Sequence, residues 1–91
     1  MKCPKIKKAE AIGNHTLLIE FTNGEWKKYS TQRLLDKPMF APLRNASFFK
    51  NFRVESGGYA LVWNENIDIS EYELWKNGDA SEEKKQSLHN D

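Results

Sequence analysis

Ninety-one residues with a net charge of +1 leave room for one domain and select no partner by charge alone. A chain this short buries only about 60–65% of its extended surface, which excludes a deep pocket combined with a well-packed core. The single cysteine, Cys3, excludes an internal disulfide and a cysteine-based metal site, and no apolar stretch approaches the ~20 residues of a membrane span.

The basic start, Met1 to Lys8, has no apolar segment after it and so is not a secretory signal; the expected location is the cytoplasm. Ile6 to Ile12 reads as a weak edge strand, its lysines discouraging pairing with another chain. Gly13-Asn14 turns the chain, and Thr16 to Phe21 is a strand by residue type. Asn23-Gly24 both tolerate the positive φ of a two-residue type I′ turn, after which Glu25 to Tyr29 returns antiparallel. That turn pairs Phe21 with Trp26, Glu20 with Lys27, Ile19 with Lys28 and Leu18 with Tyr29. Leu17, Ile19, Phe21 and Trp26 then form the core face, and Leu18, Glu20, Lys27 and Tyr29 the other.

Thr31 to Leu35 has room for one helical turn, capped by Ser30 or Thr31 and ended by Asp36-Lys37-Pro38. A second short turn is expected at Ala46 to Lys50. The irregular middle, residues 31–50, reads as a lid anchored by Leu34, Leu35, Phe40, Leu43, Phe48 and Phe49. Phe52 to Glu55, Gly57-Gly58 and Ala60 to Trp63 form a second hairpin, with Phe52 facing Trp63, Arg53 facing Val62, Val54 facing Leu61 and Glu55 facing Ala60. Ile67-Asp68-Ile69 is a brief extended piece. Ser70 with Glu73 three residues on is a capping box, opening a helix that Gly78 ends. The expected fold class is α+β: a small antiparallel sheet of two hairpins plus an edge strand, four or five strands in all, packed with short helices. Residues 1–78 make the domain and 79–91 a polar, disordered tail.

The chemistry-bearing residues do not assemble into a catalytic set. His15 sits in a turn and His89 in the tail, so no metal site or cofactor is expected. Asp68 with Glu65 or Glu71 is the candidate carboxylate pair, but alternation turns Asp68 away from Ile67 and Ile69, where it is expected to bind nearby amides before the helix. No serine lies in a Gly-x-Ser-x-Gly elbow, and Gly57-Gly58 lacks the spacing of a phosphate loop.

Charge is uneven along the chain. Residues 25–53 carry Lys27, Lys28, Arg33, Lys37, Arg44, Lys50 and Arg53 against Glu25 and Asp36 alone, whereas acids dominate from residue 54. With Phe40, Phe48, Phe49 and Phe52 among them, these bases are the candidate contacts for nucleic acid or a partner. Nucleic-acid binding is the alternative reading, because the phenylalanines are also needed for the core. A non-enzymatic protein-interaction module fits better: the second sheet face would bear Leu18, Tyr29 and Val62 among charges. Either that face or an open strand edge could form a homodimer or receive a partner segment.

Trp63-Asn64-Glu65-Asn66-Ile67-Asp68-Ile69-Ser70 followed by Leu74-Trp75, with Leu17-x-Ile19-x-Phe21-x-Asn23-Gly24-Glu25 and Phe48-Phe49 before it, resembles the bacterial family known as domain of unknown function 2442. The likeness covers roughly residues 5–75, departing at Asn66, where the family often has Gly, and at Trp75, where Tyr is common. It implies a small α+β domain, a structural role for Asp68 and no established catalytic residues. Some members are joined to a helix-turn-helix domain, for which there is no room after residue 78, and some lie beside small toxin-like genes. The latter implies an antitoxin-like or regulatory accessory role.

Overall fold

The computed structural model describes residues 3–81. Its class is α+β, with two small antiparallel sheets and short helices between and beside them. Strands β1 (Ile6–Ile12), β2 (Thr16–Phe21) and β3 (Trp26–Ser30) form the first sheet. Two 3-10 helices follow, Thr31–Leu34 and Pro38–Arg44, and then α1 (Ala46–Phe49). The second sheet is β4 (Arg53–Val54), β5 (Ala60–Asn64) and β6 (Ile67–Ser70). Helix α2 (Glu71–Asn77) and β7 (Asp79–Ala80) complete the chain, β7 adding to the first sheet in the order β1-β2-β3-β7.

The first hairpin corrects the expected register by one residue. Glu20 pairs with Trp26, Ile19 with Lys27, Leu18 with Lys28 and Leu17 with Tyr29. Among the described residues none other than glycine has positive φ, so Asn23 does not take the first position of a type I′ turn. The loop instead has three residues: Gly24 N–H donates to the Phe21 carbonyl at 2.9 Å, and Phe21 N–H donates to the Glu25 carbonyl at 2.9 Å. Gly24, at φ +91°, supplies the left-handed residue. Asn23 Oδ1 accepts from Glu25 N–H at 3.0 Å, a local side-chain turn that holds this geometry.

A one-residue slip exchanges the faces of the returning strand. Tyr29, expected outside, is buried with Leu17, Ile19 and Phe21. Trp26, expected inside, leaves the core for the outer face, and Phe21 meets Trp75 in its place, edge to face at 5.1 Å. Leu18 stays on the outer face yet is buried, standing opposite Glu10 on β1 and Lys28 on β3.

The second hairpin has the expected pairs, Arg53 with Val62 and Val54 with Leu61, and Glu55 N–H donates to Ala60 at 2.8 Å. Its tight turn is centred on Ser56-Gly57 rather than on Gly57-Gly58, with Gly58 N–H donating to Glu55 at 2.8 Å. This hairpin does not join the first sheet. Gly58 carbonyl accepts from Ile6 N–H at 2.9 Å, so the tip of the hairpin is bonded to β1 without extending that sheet. The core lies between the sheets, where Leu61, Trp63, Ile67 and Ile69 meet the first sheet's apolar face, with Leu34, Leu43, Phe49 and Leu74 filling in from the helices.

Ser70 caps α2 as expected, its Oγ accepting from Glu73 N–H at 3.1 Å. The reciprocal half of the capping box is missing, because the Glu73 carboxylate is engaged elsewhere. Gly78 ends the helix without a left-handed turn (φ −79°). Its lack of a side chain matters for space, since a Cβ there would stand 2.5 Å from the Leu74 carbonyl oxygen. Past residue 78 the chain continues as β7, Asp79 pairing with Lys28 and Ala80 with Lys27. The remainder of the expected tail, residues 82–91 with His89, lies outside the described residues.

Candidate functional site

Where the 3-10 segments pass the end of the second sheet, they leave an open cleft of about 350 Å³. Leu34, Lys37 and Phe40 line one side, Asp68, Ile69 and Ser70 of β6 the other, and Glu73 of α2 closes an end. Leu34 and Ile69 are buried and Phe40 half-buried, so the floor is apolar while Asp68 and Lys37 stand exposed at the rim.

Glu73 is fixed by two donors. Tyr29 hydroxyl donates to one carboxylate oxygen at 2.6 Å and Asn77 Nδ2 to the other at 2.9 Å. Burial, and then this bond to a carboxylate, push the Tyr29 hydroxyl above the usual tyrosine range. Above pH ~10 the unfolded chain has released this proton and the folded chain still holds it. The stabilisation is therefore complete below that pH and is lost as pH rises past it. Tyr29→Phe should show a shallower alkaline decline in urea midpoint, together with lower stability at neutral pH where Glu73 loses its donor. An unchanged alkaline slope would contradict this role.

Asp68 departs from its expected structural role. Among the described residues its carboxylate accepts no hydrogen bond; the turn before β6 is held instead by Asn64 Oδ1, which accepts from Asn66 N–H at 2.8 Å. Asp68 and Glu73 border the same cleft, but Glu73 spends its hydrogen bonds on Tyr29 and Asn77 and none on Asp68. They do not form a proton-sharing dyad.

Beside the cleft runs the sequence Pro38-Met39-Phe40-Ala41-Pro42. Four of these five apolar residues are exposed and Phe40 is half-buried, Met39 to 59%. In a 3-10 helix residues three apart eclipse, so Phe40 and Leu43 face the core while Met39 and Pro42 face solvent. The other large exposed side chains, Tyr59 and Tyr72, each lie under a lysine, Lys5 at 4.3 Å and Lys76 at 5.5 Å from the ring centroids. Met39 has no such cover among the described residues.

The basic side chains do not gather on one surface. Lys27 and Lys28 project from opposite faces of β3. Lys27 donates to the Trp75 carbonyl at 2.6 Å and sits 3.9 Å over its ring, and Arg44 donates to the Leu35 carbonyl at 2.7 Å. Arg33 lies 5.5 Å over the Tyr29 ring, Lys37 borders the cleft, and Lys50 and Arg53 are exposed.

The residue that sequence reasoning misplaced is Trp26. With Lys8, Ala9 and Glu10 it lines a concavity of about 160 Å³ on the outer face of the first sheet. Only the length of the first turn could have announced this. Val62 is half-buried, and Tyr29 has left the surface assigned to it. His15 is half-buried, its carbonyl accepting from Thr31 N–H at 2.7 Å and Thr31 Oγ1 at 2.8 Å, and its Nδ1 is buried without a partner among the described residues. No group of three or more metal-ligating side chains occurs among the described residues, and no helix there is long and apolar enough to cross a membrane.

No curated protein and no solved structure gives a significant match to the chain. The family described as "Protein of unknown function (DUF2442)" matches residues 6–80, the span that opens with β1 and closes with β7. The chain belongs to that family.

Proposed function

We propose that the chain is a non-catalytic protein-interaction module, a regulatory accessory whose docking surface is the exposed run 38–42 with the cleft beside it. The observation that carries this reading is the run itself. Consecutive exposed apolar residues leave transfer free energy unrealised, about 1.5–3 kcal/mol for a side chain the size of Met39, unless something covers them. Pro38 and Pro42 stiffen the run, so it loses little conformational entropy of its own when a partner binds it. An antitoxin-like role is one form of this reading and rests on the family resemblance. Nucleic-acid binding ranks behind it, because the bases are spread over several surfaces and Lys27 and Arg44 are committed to carbonyls.

The test compares wild-type protein with Met39→Asp by light scattering and by retention of partners from native lysate. Self-association or a retained protein should weaken at least about tenfold in the variant. Its thermal stability should stay within ~0.5 kcal/mol, as for other surface changes. A wild-type protein that is monomeric and retains nothing at micromolar concentration, or a variant that retains the same proteins equally well, would sink the reading.

A further inference from the structure

Among the described residues the two sheets present four strand edges, and three are guarded. β4 and β7 are two residues long, too short to template a partner strand. β1 carries Lys7 and Lys8 beside a register shift between Ile6 and Lys8, and the tip of the second hairpin is bonded to its first residue. β6 differs. It is the outer strand of its sheet, it has no lysine or proline, and its one charge is the exposed Asp68. The open cleft runs beside it, with Asp68, Ile69 and Ser70 on the near side and Leu34 and Phe40 across.

We propose that the edge of β6 accepts an extended segment of a partner protein as an added strand, in which apolar residues alternate with lysine or arginine. This rests on the interaction-module reading and names the partner's chemistry. A strand added at the usual ~4.8 Å spacing places directly opposed side chains on the same face. The residue opposite Asp68 stands on the solvent face, where a cation complements the carboxylate. Its two neighbours turn the other way, toward Ile69, Leu34 and Phe40, where apolar side chains belong. Lys37 on the far rim repels a second cation directed inward, so the bases are confined to the Asp68 face. β6 spans four residues, or about 13 Å, which sets the length of the contact.

The probe is a short acetylated valine–lysine repeat peptide, titrated into the isotopically labelled full chain and followed by amide chemical shifts. Saturable shifts are expected at residues 67–70. The corresponding valine–glutamate peptide should bind at least about tenfold more weakly, and Asp68→Asn should reduce affinity for the lysine peptide roughly threefold to tenfold. Because Asp68 is exposed and its side chain makes no hydrogen bond or ion pair among the described residues, that variant keeps the fold. A lysine peptide methylated on alternate amide nitrogens should lose binding, since the main chain supplies much of the affinity. Absence of shifts at residues 67–70 with millimolar peptide, equal binding of both charge types, or shifts centred on the Trp26 concavity would each overturn the assignment. If a partner is retained in a Met39-dependent way while the peptide leaves β6 unperturbed, the strand-edge proposal falls and the interaction module stands.

Discussion

Gly58→Ala is expected to remove about 3 kcal/mol of stability, although it adds only a methyl group to the chain. Two independent costs meet at this residue. Its φ of +78° lies in the left-handed region, where an L side chain costs roughly 1–2 kcal/mol. The added Cβ would also overlap the Ile6 carbonyl oxygen and stand 2.9 Å from the Ile6 amide nitrogen. Both obstacles are backbone, so neither can rotate aside. The hairpin tip must move off β1, breaking the bond in which Ile6 N–H donates to Gly58, worth about 0.5–1.5 kcal/mol net. For a domain of this size, with total stability of the order of 4–11 kcal/mol, this is a large fraction. The thermal midpoint should fall by roughly 10–25 °C. Gly57→Ala is the informative control. It also has positive φ, but its Cβ meets the Tyr59 ring, an exposed side chain that can swing away. Equal losses from the two variants would show that strain alone acts and that the seating of the hairpin on β1 contributes nothing.

The same hairpin shows what local residue chemistry makes legible. Its pairing follows from the apolar alternation of Val54, Leu61 and Trp63, and it survives a turn placed one residue from where the glycines suggest. β1 and the Ser70 cap are equally local, and each can be read from fewer than ten residues. The first hairpin is local too, yet its register is not legible, because Asn23-Gly24 suits both a two-residue and a three-residue loop. The choice falls to a weak interaction, the Asn23 side chain accepting from Glu25 N–H. Every facing in β3 hangs on it, which is how Trp26 and Tyr29 exchange places. The cleft was not legible at all. It joins residues 34–40 to residues 68–73, and no periodicity connects segments so far apart. Nor does composition separate Met39 from Leu43 within one apolar run; the threefold repeat of the 3-10 helix does.

Phe49→Ala should be still more damaging, and its neighbour Phe48→Ala much less so. The Phe49 ring is fully buried and stacks on Trp63, with centroids 6.3 Å apart and planes inclined by 20°. Its carbonyl accepts the Trp63 indole N–H at 2.7 Å, so the same residue positions the tryptophan by ring and by backbone. Emptying such a site costs about 3–5 kcal/mol, much of the stability of a small domain, and urea melts followed by tryptophan fluorescence should show a partly unfolded protein. Phe49→Leu keeps apolar volume and should recover more than half of that loss. Phe48 is only half-buried, so its truncation should cost about 1 kcal/mol. The consequence for function follows from connectivity. Asn45 ends the second 3-10 helix and caps α1, its Oδ1 accepting from Phe48 N–H at 2.9 Å, so the exposed run 38–42 is held in place through the Phe49 anchor. Partner retention should therefore fail in Phe49→Ala under conditions where Phe48→Ala still binds. Retention that survives in Phe49→Ala would mean the run recognises its partner without a fixed platform.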